Sequence, residues 1–296
     1  MESDGEYNLD KFNMDGMDVE MYTSSNSFRP NRVSVAFIQG LPENLEGKLT
    51  YDIGAGTGII SKGTISKNAD IVHAVEPSES NYDILLRNIE EWKLEGRIIP
   101  HHGEYFNPLK GIEKADVITA DVSGIPDIFG RALGWYPEGV NPGGEKGYEI
   151  TCELLRRAKN HMKSGGILLF PTADDLLDAN EILKVAYEHF GKENVENALC
   201  SEEDAKRWYE GEGARKIPWR SLDYVWFQLI REDMSKLDIA YSKFGGFPDT
   251  ISLCELRKNN KREWNVSKRR GNEILNISED SKVFWRGRVH KITKRN

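Results

Sequence analysis

In the stretch LTYDIGAGTGIIS, residues 49–61, an acid and three alternating glycines (Asp52, then Gly54, Gly56 and Gly58) separate one apolar run from the next. Glycine between a strand and a helix removes the side chain where backbone must approach a ligand, and it supplies the dihedrals of a tight turn. A dinucleotide fingerprint, G-x-G-x-x-G, would need glycine at position 59, which is Ile59, and the third glycine falls one place early. Asp52 argues the same way, because a carboxylate ahead of the turn repels a pyrophosphate and favours a cation or an ammonium group. About twenty residues further on, Glu76 ends the stretch HAVE, a place from which an acid can accept both hydroxyls of a ribose. Together these needs describe a nucleoside carrying a positively charged amino-acid part.

The elements that must position these residues follow from the periodicity. KLTYDI, DIVHAVE, GRIIPHHGE, ADVITAD and GILLFP read as short apolar strands. Between them GIISKGTISKN opens a helix, ESNYDILLRNIEEWKL is amphipathic, and YEITCELLRRAKNHMK is expected to end at a cap formed by Gly165 and Gly166. ADDLLDANEILKVAYEHFG predicts one more helix and DYVWFQLI a late strand. Such alternation predicts βαβ units and a parallel sheet. The expected fold class is α/β, with helices on both faces of the sheet. We expect an N-terminal arm or lid over residues 1–45, with one helix near NRVSVAFIQGL, the α/β core over residues 46–235, and a basic, β-rich region over residues 236–296.

The chain has 296 residues, a net charge of -8, 39% hydrophobic and 30% charged residues, which fits a soluble globular protein with no apolar run long enough to span a bilayer. The acidic, polar start predicts no export signal, and three widely spaced cysteines, Cys152, Cys200 and Cys254, offer neither a disulfide framework nor a zinc site. We therefore expect a cytoplasmic protein. Basic residues concentrate in the stretch 257–296. The solvated edge of a β module is the preferred account of them, with contact to nucleic acid as the alternative.

YDIGAGTG, AVEPS, HHGEYF and ADVITAD, in that order and each at a strand end, resemble the successive motifs of class I S-adenosylmethionine-dependent methyltransferases over residues 49–170. The resemblance implies a Rossmann-like methyltransferase sheet and S-adenosyl-L-methionine as cofactor. It implies that Asp52, Gly54 and Gly56 line the methionine part, that Glu76 takes the ribose, and that Glu104 lies near the adenine. Two subfamilies leave partial traces. NPGGEKGYEITCELLRRAKNHMKSGGIL resembles a segment of release-factor glutamine methyltransferase relatives, but their Asn-Pro-Pro-Tyr type motif is replaced by DVSG at residues 121–124. ADVITADVSG, GYEITCELL and GGILLFP resemble arginine N-methyltransferases, with Asp121 and Glu149 standing for that family's two glutamates. No copy of its Thr-His-Trp loop is found.

A pair of carboxylates could hold a guanidinium bidentately and orient one nitrogen toward the methyl group. The expected acceptor is thus a nitrogen, of guanidinium, amine or amide type, on a small molecule or a protein side chain. Asp121 could instead meet the methionine amino group, and Glu149 could simply favour the first turn of its helix. The alternatives are a small-molecule O-methyltransferase, a non-catalytic cofactor-binding subunit with a nucleic-acid-binding tail, and a nicotinamide dehydrogenase. No metal is expected, since adjacent His101 and His102 face opposite ways on a strand. Trp135 and Tyr136 could stack on an acceptor, residues 215–227 could form a rim with Trp219 and Trp226 in the core, and Tyr22 with its arm could fold over the cofactor. Whether the protein is a homodimer is left open.

Overall fold

The computed structural model describes residues 7–122 apart from 15, 25, 26, 29 and 31; residues 124 and 127; residues 142–199 apart from 174–178; and residues 254–258, 264–270, 273–277 and 287–294. Cys200, Trp135, Tyr136 and the stretch 215–230, with its expected late strand, lie outside them.

Strands β1 (Asn8–Met14) and β2 (Met17–Thr23) come first, then helix α1 (Arg32–Gly40). The alternating core follows: β3 (Leu49–Ile53), α2 (Ile59–Ser66), β4 (Ile71–Glu76), α3 (Glu79–Glu91), β5 (Ile98–His102), β6 (Ala115–Thr119), α4 (Glu149–Ala158), β7 (Met162–Ala173), α5 (Ala179–Phe190) and β8 (Val195–Leu199). Strands β9 (Cys254–Lys258), β10 (Trp264–Arg270) and β11 (Glu273–Ile277) pair among themselves, and β12 (Gly287–Thr293) is last.

Seven strands form the main sheet in the order β5-β4-β3-β6-β7-β12-β8. Strands β3 to β7 are parallel, and β12 runs antiparallel to both β7 and β8. Successive residues of a strand point to opposite faces, so a sheet covered on both sides needs apolar side chains on both. Ala74, Val117 and Leu169 pack with α1, α2 and α3 on one face. Val75, Ile118, Leu168 and Phe170 pack with α4 and α5 on the other. The expected Rossmann-like α/β sheet with helices on both faces is therefore what the chain forms. Strand order reverses between β3 and β6, the point where α/β sheets open a crevice at the strands' carboxyl ends.

Three expectations need correction. The N-terminal segment carries a β-hairpin as well as the expected helix. Gly16, at φ +87°, takes the left-handed conformation of its turn, and Asn13 Oδ1 accepts the Gly16 N–H at 3.1 Å. Gly165 and Gly166 do not cap α4, which ends at Ala158; they lie inside β7, where the register with β6 shifts between Ala115 and Val117. A Cβ on Gly166 would stand 2.9 Å from the Lys163 carbonyl and 3.3 Å from that of Ala115, so the irregular pairing leaves room for glycine only. The β-rich C-terminal region holds β9–β11 as expected, but β12 leaves it and fills the gap in the main sheet between β7 and β8.

Candidate functional site: the glycine turn and its three acids

The three glycines are required for three different reasons. Gly54, at φ +75°, lets the end of β6 come close: a Cβ there would stand 3.3 Å from Val122 Cγ1 and 3.4 Å from the Asp121 carbonyl oxygen. Gly58, at φ +88°, precedes α2 and packs against α3, where a Cβ would stand 2.6 Å from Leu85 Cδ1. At Gly56, φ +55°, a Cβ would meet nothing within 4 Å, so this part of the turn faces open space. The turn is anchored behind by the Gly54 and Ala55 N–H groups, both donating to the Val75 carbonyl, at 2.9 and 3.0 Å.

Three carboxyl groups surround this turn. Asp52, on β3, is fully buried; Ser61 Oγ donates to its Oδ2 at 2.6 Å and Thr119 Oγ1 to its Oδ1 at 2.9 Å. Burial pushes its carboxyl up to about 6, against the pull of these hydrogen bonds. Glu76 ends β4 and is 4% exposed; it accepts the Gly56 N–H at 2.8 Å through Oε2 and the Ser78 N–H at 2.9 Å through Oε1. Burial again raises its pKa, opposed by those two N–H groups and by the Asn81 amide, while the charge of Asp52 raises it further. Asp121 follows β6, is partly buried, and is pushed up to about 7, by burial first and then by Asp52. Hydrogen bonds alone offset the burial of Asp52 and Glu76, and no described cation offsets that of any of the three.

The group implied by the motifs fits this arrangement. A carboxylate presents about four lone-pair positions, so Glu76 keeps room for a hydroxyl donor after accepting the Gly56 and Ser78 N–H groups and the Asn81 amide. Beside it Asn81, 1% exposed, keeps an Oδ1 that no described group satisfies, an acceptor for a further donor. Gly56, whose N–H Glu76 accepts, is the part of the turn that faces open space. Sequence reasoning missed Ser61, Thr119, Asn81 and Asn88, because a hydroxyl or amide facing inward from a helix or strand leaves no motif.

The acceptor-side residues are less concentrated. Glu149 lies in the first turn of α4, where Oε1 and Oε2 accept the Lys146 N–H at 3.0 and 3.2 Å. It lines an open cleft of about 390 Å3 together with Tyr105, Tyr148, Cys152, Glu153 and Glu181. Asp121 is not among the residues of that cleft, and no contact between Asp121 and Glu149 occurs among the described residues. Glu104 is exposed; its carbonyl accepts the Asn107 N–H at 3.1 Å. His101 Nε2 meets His73 Nδ1 at 2.8 Å, whereas His102 stacks on Tyr82 with ring centroids 5.1 Å apart. The two neighbours thus face opposite ways, and no cluster of three metal-ligating side chains occurs among the described residues.

No protein-family model and no curated protein matches the chain. Solved structures do match it. The 16S rRNA N2 G1207 methyltransferase of T. thermophilus, solved with AdoMet and guanosine, aligns with a TM-score of 0.52 at 16% identity, over 66% of this chain and 48% of that one. The chain therefore spans about half the length of that methyltransferase. Precorrin-6y C5,15-methyltransferase from Geobacter metallireducens aligns over 93% of both chains, with a TM-score of 0.41 and 10% identity. A ribosomal protein L11 methylase from Lactobacillus delbrueckii subsp. bulgaricus aligns over 59% of this chain and 74% of that one, with a TM-score of 0.42 and 17% identity. The first comparison, with the strand order, shows that the chain has the fold of class I S-adenosylmethionine-dependent methyltransferases.

Proposed function

We propose that this protein is an S-adenosylmethionine-dependent methyltransferase. One observation carries the reading: Asp52, Glu76 and Asp121 converge on a glycine turn that faces open space, and burial raises all three without a described cation to offset it. Buried carboxyls without a counter-charge call for a positively charged partner. When bound, S-adenosylmethionine supplies an electrophilic methyl group on a sulfonium, next to an ammonium and a ribose.

The chain's own residues then have distinct tasks. Glu76 accepts the ribose hydroxyls, with Asn81 Oδ1 at its side. Asp52 holds its negative charge behind the turn while Ser61 and Thr119 fix its orientation. Asp121, at the end of β6, stands at the mouth of the switch-point crevice. Its pKa of about 7 suits one of two roles: meeting the amino group of the cofactor, or taking a proton from an amine nitrogen.

The acceptor in this reading is a nitrogen of guanidinium, amine or amide type, on a small molecule or a protein side chain, and the basis for it is a carboxyl at Asp121 poised to receive a proton near neutrality. An RNA base nitrogen is the second reading, favoured by the guanine N2 position in the name of the structure aligned at a TM-score of 0.52. Among the described residues no helix is long and apolar enough to cross a membrane.

Methyl-labelled S-adenosylmethionine incubated with the protein and a cell extract tests both levels. Label in protein that survives nuclease supports a side-chain acceptor. Label in small solutes points to a metabolite, and label lost to nuclease moves the acceptor to RNA or DNA. No transfer, with no binding of S-adenosylhomocysteine, overturns the reading.

A further inference from the structure

The N-terminal hairpin is joined to the glycine turn by one side chain. Asn88, on α3, is fully buried and uses its whole amide: Oδ1 accepts the Tyr22 N–H at 2.6 Å, and Nδ2 donates to the carbonyls of Tyr22 at 3.1 Å and Thr57 at 2.9 Å. The amide fits in one orientation only, because Tyr22 N is a donor and the Thr57 oxygen an acceptor. One helical turn on, Trp92 Nε1 donates to the Glu20 carbonyl at 2.7 Å. Residues 20 and 22 of a strand are roughly 6.6 Å apart, and helix positions four apart rise by about 6 Å. Helix α3 and the Trp92 that follows it therefore meet the edge of β2 turned away from β1 with two side chains at matching spacing, much as a neighbouring strand would.

Thr57 lies between Gly56 and Gly58, and the Gly56 N–H is the one that Glu76 accepts. A continuous path runs from β2 through Asn88 to Thr57, Gly56 and Glu76. We infer that Asn88 is a positioning residue for the cofactor turn, and that it makes the β1–β2 hairpin part of the cofactor site by linking hairpin docking to occupation of the turn. The inference rests on the methyltransferase reading above. Linkage is reciprocal: a ligand that fixes the turn must also steady the hairpin, and a loosened hairpin must weaken the ligand.

Amide hydrogen exchange of the full chain, with and without S-adenosylhomocysteine, tests this alongside calorimetric titration of the same ligand. In the unaltered protein, saturating ligand should slow exchange over residues 17–23. In Asn88→Ala the slowing should disappear even at saturation, and affinity should weaken about tenfold, the scale expected for losing the hydrogen bonds of one buried amide. Where turnover is measurable, the KM for cofactor should rise with kcat retained, which a general loss of stability would not produce. If Asn88→Ala does not fold, the comparison in the unaltered protein decides. Ligand binding without any change in hairpin exchange overturns the linkage, as does a variant that keeps both the slowing and the affinity. Failure of the unaltered protein to bind S-adenosylhomocysteine overturns the methyltransferase reading instead.

Discussion

The hydroxyl of Ser61, in the first turn of α2, donates to the carboxylate of Asp52 on β3 at 2.6 Å, so the two ends of the glycine turn are tied across it. Replacing Ser61 by Ala leaves a buried carboxylate with one donor fewer. We expect Ser61→Ala to lower stability by about 1–3 kcal/mol and to move the Asp52 carboxyl above its present value of about 6. Chemical denaturation at pH 7.5 and again at pH 5 checks both: the deficit should be larger at pH 7.5, where the carboxyl is ionised.

Asp121 gives a second pH signature. Its pKa in the folded chain, about 7, lies above the usual carboxylate value, so the native state holds the proton more tightly than the unfolded one. Stability is then lower above pH 7 and recovers as pH falls toward the unfolded value. Asp121→Asn should melt higher than the unaltered protein at pH 8, and the advantage should shrink steadily toward pH 5. Saturating S-adenosylhomocysteine should narrow the difference at pH 8, since a bound cation meets the same charge. A difference that does not vary with pH would refute this account of Asp121.

The histidine pair has the opposite slope. Burial holds both His73 and His101 below the ordinary histidine value, and the charge of His101 adds to this at His73. Depressed values in the folded state mean that the unfolded chain takes up protons first as pH falls below about 6.5, and stability is lost there. Melting curves of His101→Gln and the unaltered protein between pH 7.5 and 5.5 should converge on the acid side, because the variant lacks one of the two groups.

Two neighbouring glycines should separate folding from binding. Gly58→Ala places a Cβ 2.6 Å from Leu85 Cδ1 at a φ of +88°, and a loss on the order of 1–3 kcal/mol is expected. Gly56→Ala carries only the dihedral cost, about 1–2 kcal/mol, and its methyl enters the open space. S-adenosylhomocysteine affinity should therefore fall further in Gly56→Ala than its melting temperature suggests, with the reverse order in Gly58→Ala.

Glu149 separates helix capping from catalysis. Its carboxylate accepts the Lys146 N–H, so Glu149→Ala should cost about 1 kcal/mol. Glu149→Gln keeps an acceptor for that N–H. Activity retained in Glu149→Gln would assign the residue to the start of α4, and activity lost at unchanged melting temperature would assign it to the acceptor.

The parallel core was legible because period-two apolar runs alternated with helical periods, and because an acid stood at the end of two strands. Other elements were not. The hairpin carries Asp15-Gly16 between alternating apolar residues, a turn signal hidden among many polar neighbours. Gly165-Gly166 has the composition of a helix cap, and only the strand beside it reveals a bulge. Strand β12 could not be assigned to the sheet from sequence because its partners, β7 and β8, are separated from it by more than eighty residues, and pairing over that distance leaves no local mark. Within the site the glycines and Asp52 were readable from spacing. Asn88 was not: an amide at a buried helix position acquires meaning only from the three backbone groups that two other segments bring to it.

The place of β12 has a consequence for synthesis on the ribosome. Strands β7 and β8 are translated long before β12, yet neither pairs with the other; each bonds to the late strand. Until residue 293 has left the exit tunnel, β7 lacks its partner on that side and β8 lacks the only described strand that ties it to the sheet, and such open edges are the kind of surface that chaperones cover and that aggregates recruit.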